Sequence, residues 1–138
     1  VDPTTALLAA SAAHAGFSVV VTVVVYPALA DVARESPRQW AARHDAHSRR
    51  IGAVVAPLYP LVAAACVWTL LTGPEGWAWV ALTGNAVAAL VTAARAAPTH
   101  GRLGREGPDP GLVRSLLLAD RVRTLGAVVA LVASALAV

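Results

Sequence analysis

Apolar and polar positions alternate along this chain in long blocks rather than in short strands. Asp2-Pro3 reads as a cap followed by a first-turn proline, which predicts a first helix over about residues 4–34. Its part from Leu7 to Ala30 is apolar enough to span a membrane. The few polar residues there, Ser11, His14, Ser18, Thr22 and Tyr26, recur at intervals of three and four. They share one stripe, which faces the interior of a bundle rather than lipid. No basic segment precedes this stretch, so it reads as a retained span and not a signal peptide.

Ser36-Pro37-Arg38-Gln39 has the pattern of a capping box and predicts a second helix over about 37–72, stopped at Thr72-Gly73-Pro74. At 1.5 Å per residue it reaches roughly 50 Å, against a hydrocarbon core of about 30 Å. Its first turns therefore lie at or beyond the interface, and its inward seam is expected to run through Ile51, Val54, Leu58 and Leu61. Pro57 and Pro60 fall within the span, where they are expected to kink it. Trp77 and Trp79 open a third helix, about 75–97, as interfacial aromatics, and Asn85, Thr92 and Arg95 share one of its stripes. Pro98 to Asp109 reads as a loop carrying His100. Asp109-Pro110 starts a fourth helix, about 110–138, of which only Thr124 to Val138 is free of charge.

Composition turns this pattern into a membrane protein. Of 138 residues, 57% are hydrophobic and 14% charged, with a mean hydropathy of +0.63; soluble domains carry about 25% charge. The length suits one domain, residues 1–138. All 11 basic residues are arginines. They cluster between the first and second helices (Arg34 to Arg50) and around the last connection (Arg95 to Arg123), with none in residues 1–33 or 51–94. Both clusters belong on the cytoplasmic side and both termini outside. The expectation is thus an all-α integral membrane four-helix bundle, antiparallel and up-down-up-down, in a bacterial-type inner or plasma membrane. A pI near 10.0 would suit nucleic acid, but no aromatic-interleaved basic patch supports that partner. The expected partners are the lipid bilayer and a hydrophobic small molecule, and a homo-oligomer is compatible with the pattern. With a single cysteine, Cys66, there is no intrachain disulfide and no thiolate zinc site.

Candidate chemistry gathers at the arginine-rich end. Trp40-Ala-Ala-Arg-His44-Asp-Ala-His47-Ser-Arg-Arg50 sets two imidazoles on one helix face at the mouth of a span. Counted from the cytoplasmic helix ends, Tyr26, His44, His47, Asp120 and Arg121 fall into one layer, with Arg95, Thr92 and Arg123 close to it. Tyr26, His44, His47, Asp120, Arg121 and Arg123 are the catalytic candidates. Trp40, Asn85, Thr92, Arg95 and His100 are candidates for contact with substrate. Three readings stay open: ion pairs of Asp45 and Asp120 that merely anchor helix ends, an acid–base site, and a metal held by His44 and His47, whose spacing suits ligands on one helix. No cofactor other than that metal follows from the residues. His14, toward the outer side, reads as a hydrogen-bonded interior histidine.

Arg95-Ala-Ala-Pro98-Thr-His100-Gly-Arg-Leu103, followed by Leu-Leu-Leu-Ala-Asp120-Arg-Val-Arg123-Thr124 and an apolar tail, resembles the anthrone-oxygenase-like family of small four-helix membrane proteins. The likeness extends to Tyr26-Pro27 at the end of the first helix. Members often carry Asn two residues after the proline and Trp or His early in the last helix. His100 and the Ala119-Asp120 region stand in those places here, and the His44/His47 pair has no place in the family pattern. The resemblance implies oxidation of an anthrone to an anthraquinone by O2 without an evident cofactor. His44 or His47 would then be the base, with Tyr26, Arg121 or Arg123 facing the developing oxyanion. A non-enzymatic metal- or haem-binding membrane protein is the alternative. A small transporter ranks last, because the first helix holds no embedded carboxylate.

Overall fold

The computed structural model describes residues 1–138, and every regular element in it is helical. Four long helices follow one another: α1 (Pro3–Glu35), α2 (Pro37–Leu71), α3 (Trp77–Glu106) and α4 (Pro110–Ala137). The first three are long and apolar enough to cross a membrane. In α4 the charges Arg114, Asp120, Arg121 and Arg123 interrupt the apolar run.

Two of the helix starts use the caps that the sequence suggests. Asp2 accepts from the Thr5 amide at 3.0 Å and Asp109 from the Leu112 amide at 2.9 Å, each satisfying one of the orphan donors of a first turn. The Thr4 hydroxyl, with the Thr5 amide and hydroxyl, holds the Asp2 carboxyl well below the ordinary carboxylate range. Ser36 makes no capping bond; Pro37–Gln39 form a tight 3-10 turn that leads into the second helix instead.

Val21–Val25 and Thr92–Ala96 are wide π-type turns inside α1 and α3. Each is followed, one residue on, by a proline, Pro27 or Pro98. A proline lacks the amide hydrogen and its ring presses on the carbonyl four residues back, here Val23 or Ala94, and the wider turn takes up that conflict. This corrects the expected loop at Pro98–Asp109: α3 runs on to Glu106 and places His100 on a helix. Thr99 and Leu103 are buried there, four residues apart, and Arg102 pairs with Glu106 along the outer face at 2.9 Å. The chain breaks only at Gly107, whose φ of +90° suits glycine.

Small residues line the middle of the interior, Leu29, Trp40, Leu103, Leu112 and Leu116 fill its arginine-rich end, and many large apolar side chains face outward. Ala15, Ala81, Ala88, Ala127 and Ala130 are buried, while Val23, Leu61, Leu90, Leu118 and Leu125 stand exposed. The outward Val and Leu suit helices surrounded by lipid, and the buried alanines permit a close backbone approach. It is tightest between α3 and α4, where Gly84 and Gly126 cross with no room for a side chain. Ser134 Oγ lies 3.1 Å from Ser11 Oγ, and Thr124 Oγ1 lies 2.7 Å from Thr22 Oγ1, joining α4 to α1. On α2 the buried seam is His44, Leu58, Val62, Ala65 and Thr69, with Ile51 and Val55 half-buried. Val54 and Leu61, expected inside, are exposed. The true seam advances by four more often than by three, following the 3.6-residue turn, and a difference of one residue turns a side chain by about 100°.

Candidate functional site

The first turns of α2 and the last turns of α3 bring three imidazoles together. Ring centroids of His44 and His100 are 4.4 Å apart, those of His47 and His100 5.3 Å, and those of His44 and His47 6.5 Å. Trp40 packs on His44 at 5.0 Å, and Tyr26 of α1 reaches His47 at 6.1 Å. Trp40 is itself buried and donates its indole hydrogen to the Leu103 carbonyl at 3.0 Å, which ties α2 to α3 beneath the rings. Gly104 leaves the space the His44 ring occupies: a Cβ there would stand 3.2 Å from His44 Cε1.

One ring has a neighbour that can set its tautomer. Ser48 Oγ donates its only hydrogen to the His44 carbonyl at 2.8 Å. With its hydrogen there, Ser48 accepts from His100 Nε2, 3.0 Å away, an arrangement that places the His100 hydrogen on Nε2. His100 Nδ1 is left with a lone pair, buried and without a partner. His44 Nε2 and His47 Nε2 are also buried and unpartnered. Native structures pair nearly all such atoms, and those left over call for an explanation. Three open nitrogens on neighbouring rings can accept a proton or ligate a metal. The side chains do not already stand as a set of three metal ligands, so a metal would require the rings to turn.

The remaining candidates divide among other places. Asp120 and Arg123 form a buried ion pair on α4, 1% and 6% exposed. Asp120 also accepts from Thr22 Oγ1 at 2.6 Å, and the Arg123 guanidinium lies 5.5 Å from the centre of the Phe17 ring. The other expected ion pair, Asp45 with Arg49, is exposed. Asn85 lies deeper, bonded to His14 at 3.1 Å and to Ser11 Oγ at 2.9 Å. Thr92 pairs with the Tyr59 hydroxyl at 2.8 Å. Arg95 and Arg121 are exposed and join neither group. The single polar layer expected at the arginine-rich end is therefore several: an imidazole cluster, a buried ion pair, and the His14–Asn85 network. Ser48 and Tyr59 were missed. Ser48 sits directly beside His47, a position from which a hydroxyl can reach back one turn.

No family model matches this chain, and neither does any curated protein or solved structure.

Proposed function

We propose that this chain is a four-span membrane oxidoreductase of the oxygenase type, acting on an apolar aromatic small molecule with His100 as its proton acceptor. The helices run up-down-up-down with the arginine-rich segments on the cytoplasmic side. The interhelical bonds support the antiparallel order: Ser11 meets Ser134, whereas Thr22, further along α1, meets Thr124, earlier in α4. In a Cys66→Ala background, a cysteine at Glu75 should label from outside intact cells, and one at Glu106 only after permeabilisation. Labelling of the Glu106 position from outside would reverse the orientation. Gly104 is unsuited to this test because a side chain there meets His44.

The observation that carries the reaction is the open His100 Nδ1, held as a lone pair by Ser48 and flanked by two more imidazoles. A neutral imidazole nitrogen with a free lone pair can accept a proton. It would take the acidic ring C–H proton of an anthrone-like substrate, leaving a delocalised carbanion that O2 oxidises. Over the whole reaction the CH2 becomes a carbonyl; one atom of O2 enters the product and the other leaves as water with the two hydrogens. The Tyr26 ring lies 6.1 Å from that of His47, and its hydroxyl would serve as the donor to the developing oxyanion. The crevice beside Tyr26, Trp40 and Leu103 holds only about 10 Å³, so the substrate approaches from the half-buried side of His47 and His100.

Oxygen consumption by the purified protein with anthrone tests this reading. His100→Ala should lower the rate by about 10²–10⁴-fold. Ser48→Ala, which only frees the tautomer, should lower it by roughly tenfold and shift its pH profile. A folded His100→Ala protein with the wild-type rate would overturn the assignment. A second reading, a metal-binding membrane protein, would use the same three open nitrogens once the rings turn toward one another. Stoichiometric metal in the purified protein, lost on replacing any of His44, His47 or His100, would decide for it.

A further inference from the structure

Between α2 and α3, away from the imidazole cluster, lies a cleft of about 280 Å³ walled by Val62, Leu82 and Ala89, with His14, Tyr59 and Asn85 as its polar groups. Its hydrogens can be followed one by one. The Ala81 carbonyl only accepts, so the Asn85 atom 3.3 Å from it is the amide nitrogen, which also donates to Ser11 Oγ at 2.9 Å. Asn85 Oδ1 therefore faces His14 Nδ1 at 3.1 Å and accepts from it. A neutral imidazole has one ring hydrogen, and here it lies on Nδ1. His14 Nε2 is left with a lone pair, fully buried and without a partner. With the Thr92 hydrogen on the Ala88 carbonyl, 2.8 Å away, the Tyr59 hydroxyl donates in the 2.8 Å bond between them. Tyr59 Oη keeps its lone pairs, and its ring stands edge-on to His14 with centroids 5.3 Å apart.

Every strong donor on this cleft is thus already committed, and what remains on offer is acceptors. We propose that the cleft binds an apolar ring compound bearing a hydroxyl, a phenol or hydroquinone, which donates its hydrogen to His14 Nε2 with Tyr59 Oη as a second acceptor. Such a site rejects a ketone, quinone or methyl ether of the same skeleton, because these bring no hydrogen to a buried lone pair. The surroundings fix the class: apolar walls demand an apolar body, and a single buried network demands one polar end. The inference does not rest on turnover at His100.

Binding to the full chain in phosphatidylcholine nanodiscs, with empty nanodiscs subtracted, tests it directly. The probes are 2-naphthol and 2-methoxynaphthalene, in which a methyl group replaces the hydroxyl hydrogen. Wild type should bind the naphthol at least about tenfold more tightly. His14→Phe should abolish that preference. Asn85→Leu, which releases the ring hydrogen from Nδ1, should shrink it, while His100→Ala should leave it unchanged. Equal affinity of the two probes for wild type would show a groove that lipid chains fill without discrimination, and would overturn the proposal. So would an undiminished preference in a folded His14→Phe protein. Loss of anthrone oxidation in His100→Ala with naphthol binding intact would keep the two sites distinct.

Discussion

Arg123→Leu should be among the most damaging single changes in this protein, at a cost of about 3–5 kcal/mol. Asp120 is buried between α1 and α4 and accepts from both Arg123 and Thr22. Removing the guanidinium leaves a carboxylate in a dry interior with one hydroxyl as its partner. The cost comes from stranding that charge, not from the worth of the pair, since replacing both members of a buried pair by apolar residues is often neutral. The double variant Asp120→Leu/Arg123→Leu should therefore be recovered in better yield and melt higher in detergent than Arg123→Leu alone. Glu106→Gln, at an exposed pair on the end of α3, should change the melting temperature little. Equal destabilisation of the single and double variants would show that the site needs the ion pair itself, for instance to position Phe17 or Thr22.

The second large effect should follow from Gly84. A Cβ at this position would lie 2.7 Å from the Gly126 carbonyl oxygen and 2.9 Å from the Ala130 amide nitrogen. Both are backbone atoms, so no side chain can swing away and α3 must separate from α4. Gly84→Ala should cost about 1–3 kcal/mol, and Gly84→Leu should prevent the pairing and leave aggregated protein. Gly126→Ala meets the Gly84 carbonyl oxygen at 2.9 Å and should behave similarly. Gly16, also in a helix, has nothing within 4 Å of its would-be Cβ and serves as the control. Thermal unfolding in detergent reads the difference. A Gly84→Ala protein as stable as Gly16→Ala would mean that the crossing is looser than 2.7 Å requires.

Part of the candidate site could be read directly from residue spacing. Two histidines three apart on a helix share a face wherever that helix goes, so the closeness of His44 and His47 needed no partner to predict it. An aspartate and an arginine three apart do the same, and Asp120 pairs with Arg123. His14 reads as a hydrogen-bonded interior histidine, and its bond to Asn85 agrees. His100 was another matter. Pro98, Gly101, Gly104 and Gly107 are all breakers by local preference, yet only Gly107 ends the helix. The π-type turn before Pro98 and the burial of Thr99 and Leu103 outweigh that preference. Without the added turns, His100 would not face α2.

The chain by itself determined what depends on composition and on distance along one helix: that the elements are helical, that long apolar stretches suit a membrane, and that Asp2 and Asp109 begin two of the helices. Depth along a helix is a sum of identical rises and survives small errors. Rotation about the axis does not, since one residue turns a side chain by about 100° and a π-type turn adds a residue to the cycle. Which polar groups meet was therefore left to the tertiary structure. It turned Arg95 and Arg121 outward and carried Asn85 to His14. It set Val55 rather than Val54 toward the interior and gathered His44, His47 and His100 into one cluster. The hydrogen positions that leave His100 Nδ1 and His14 Nε2 open followed only from partners on neighbouring helices, Ser48 and Asn85, which no spacing along one helix could reveal.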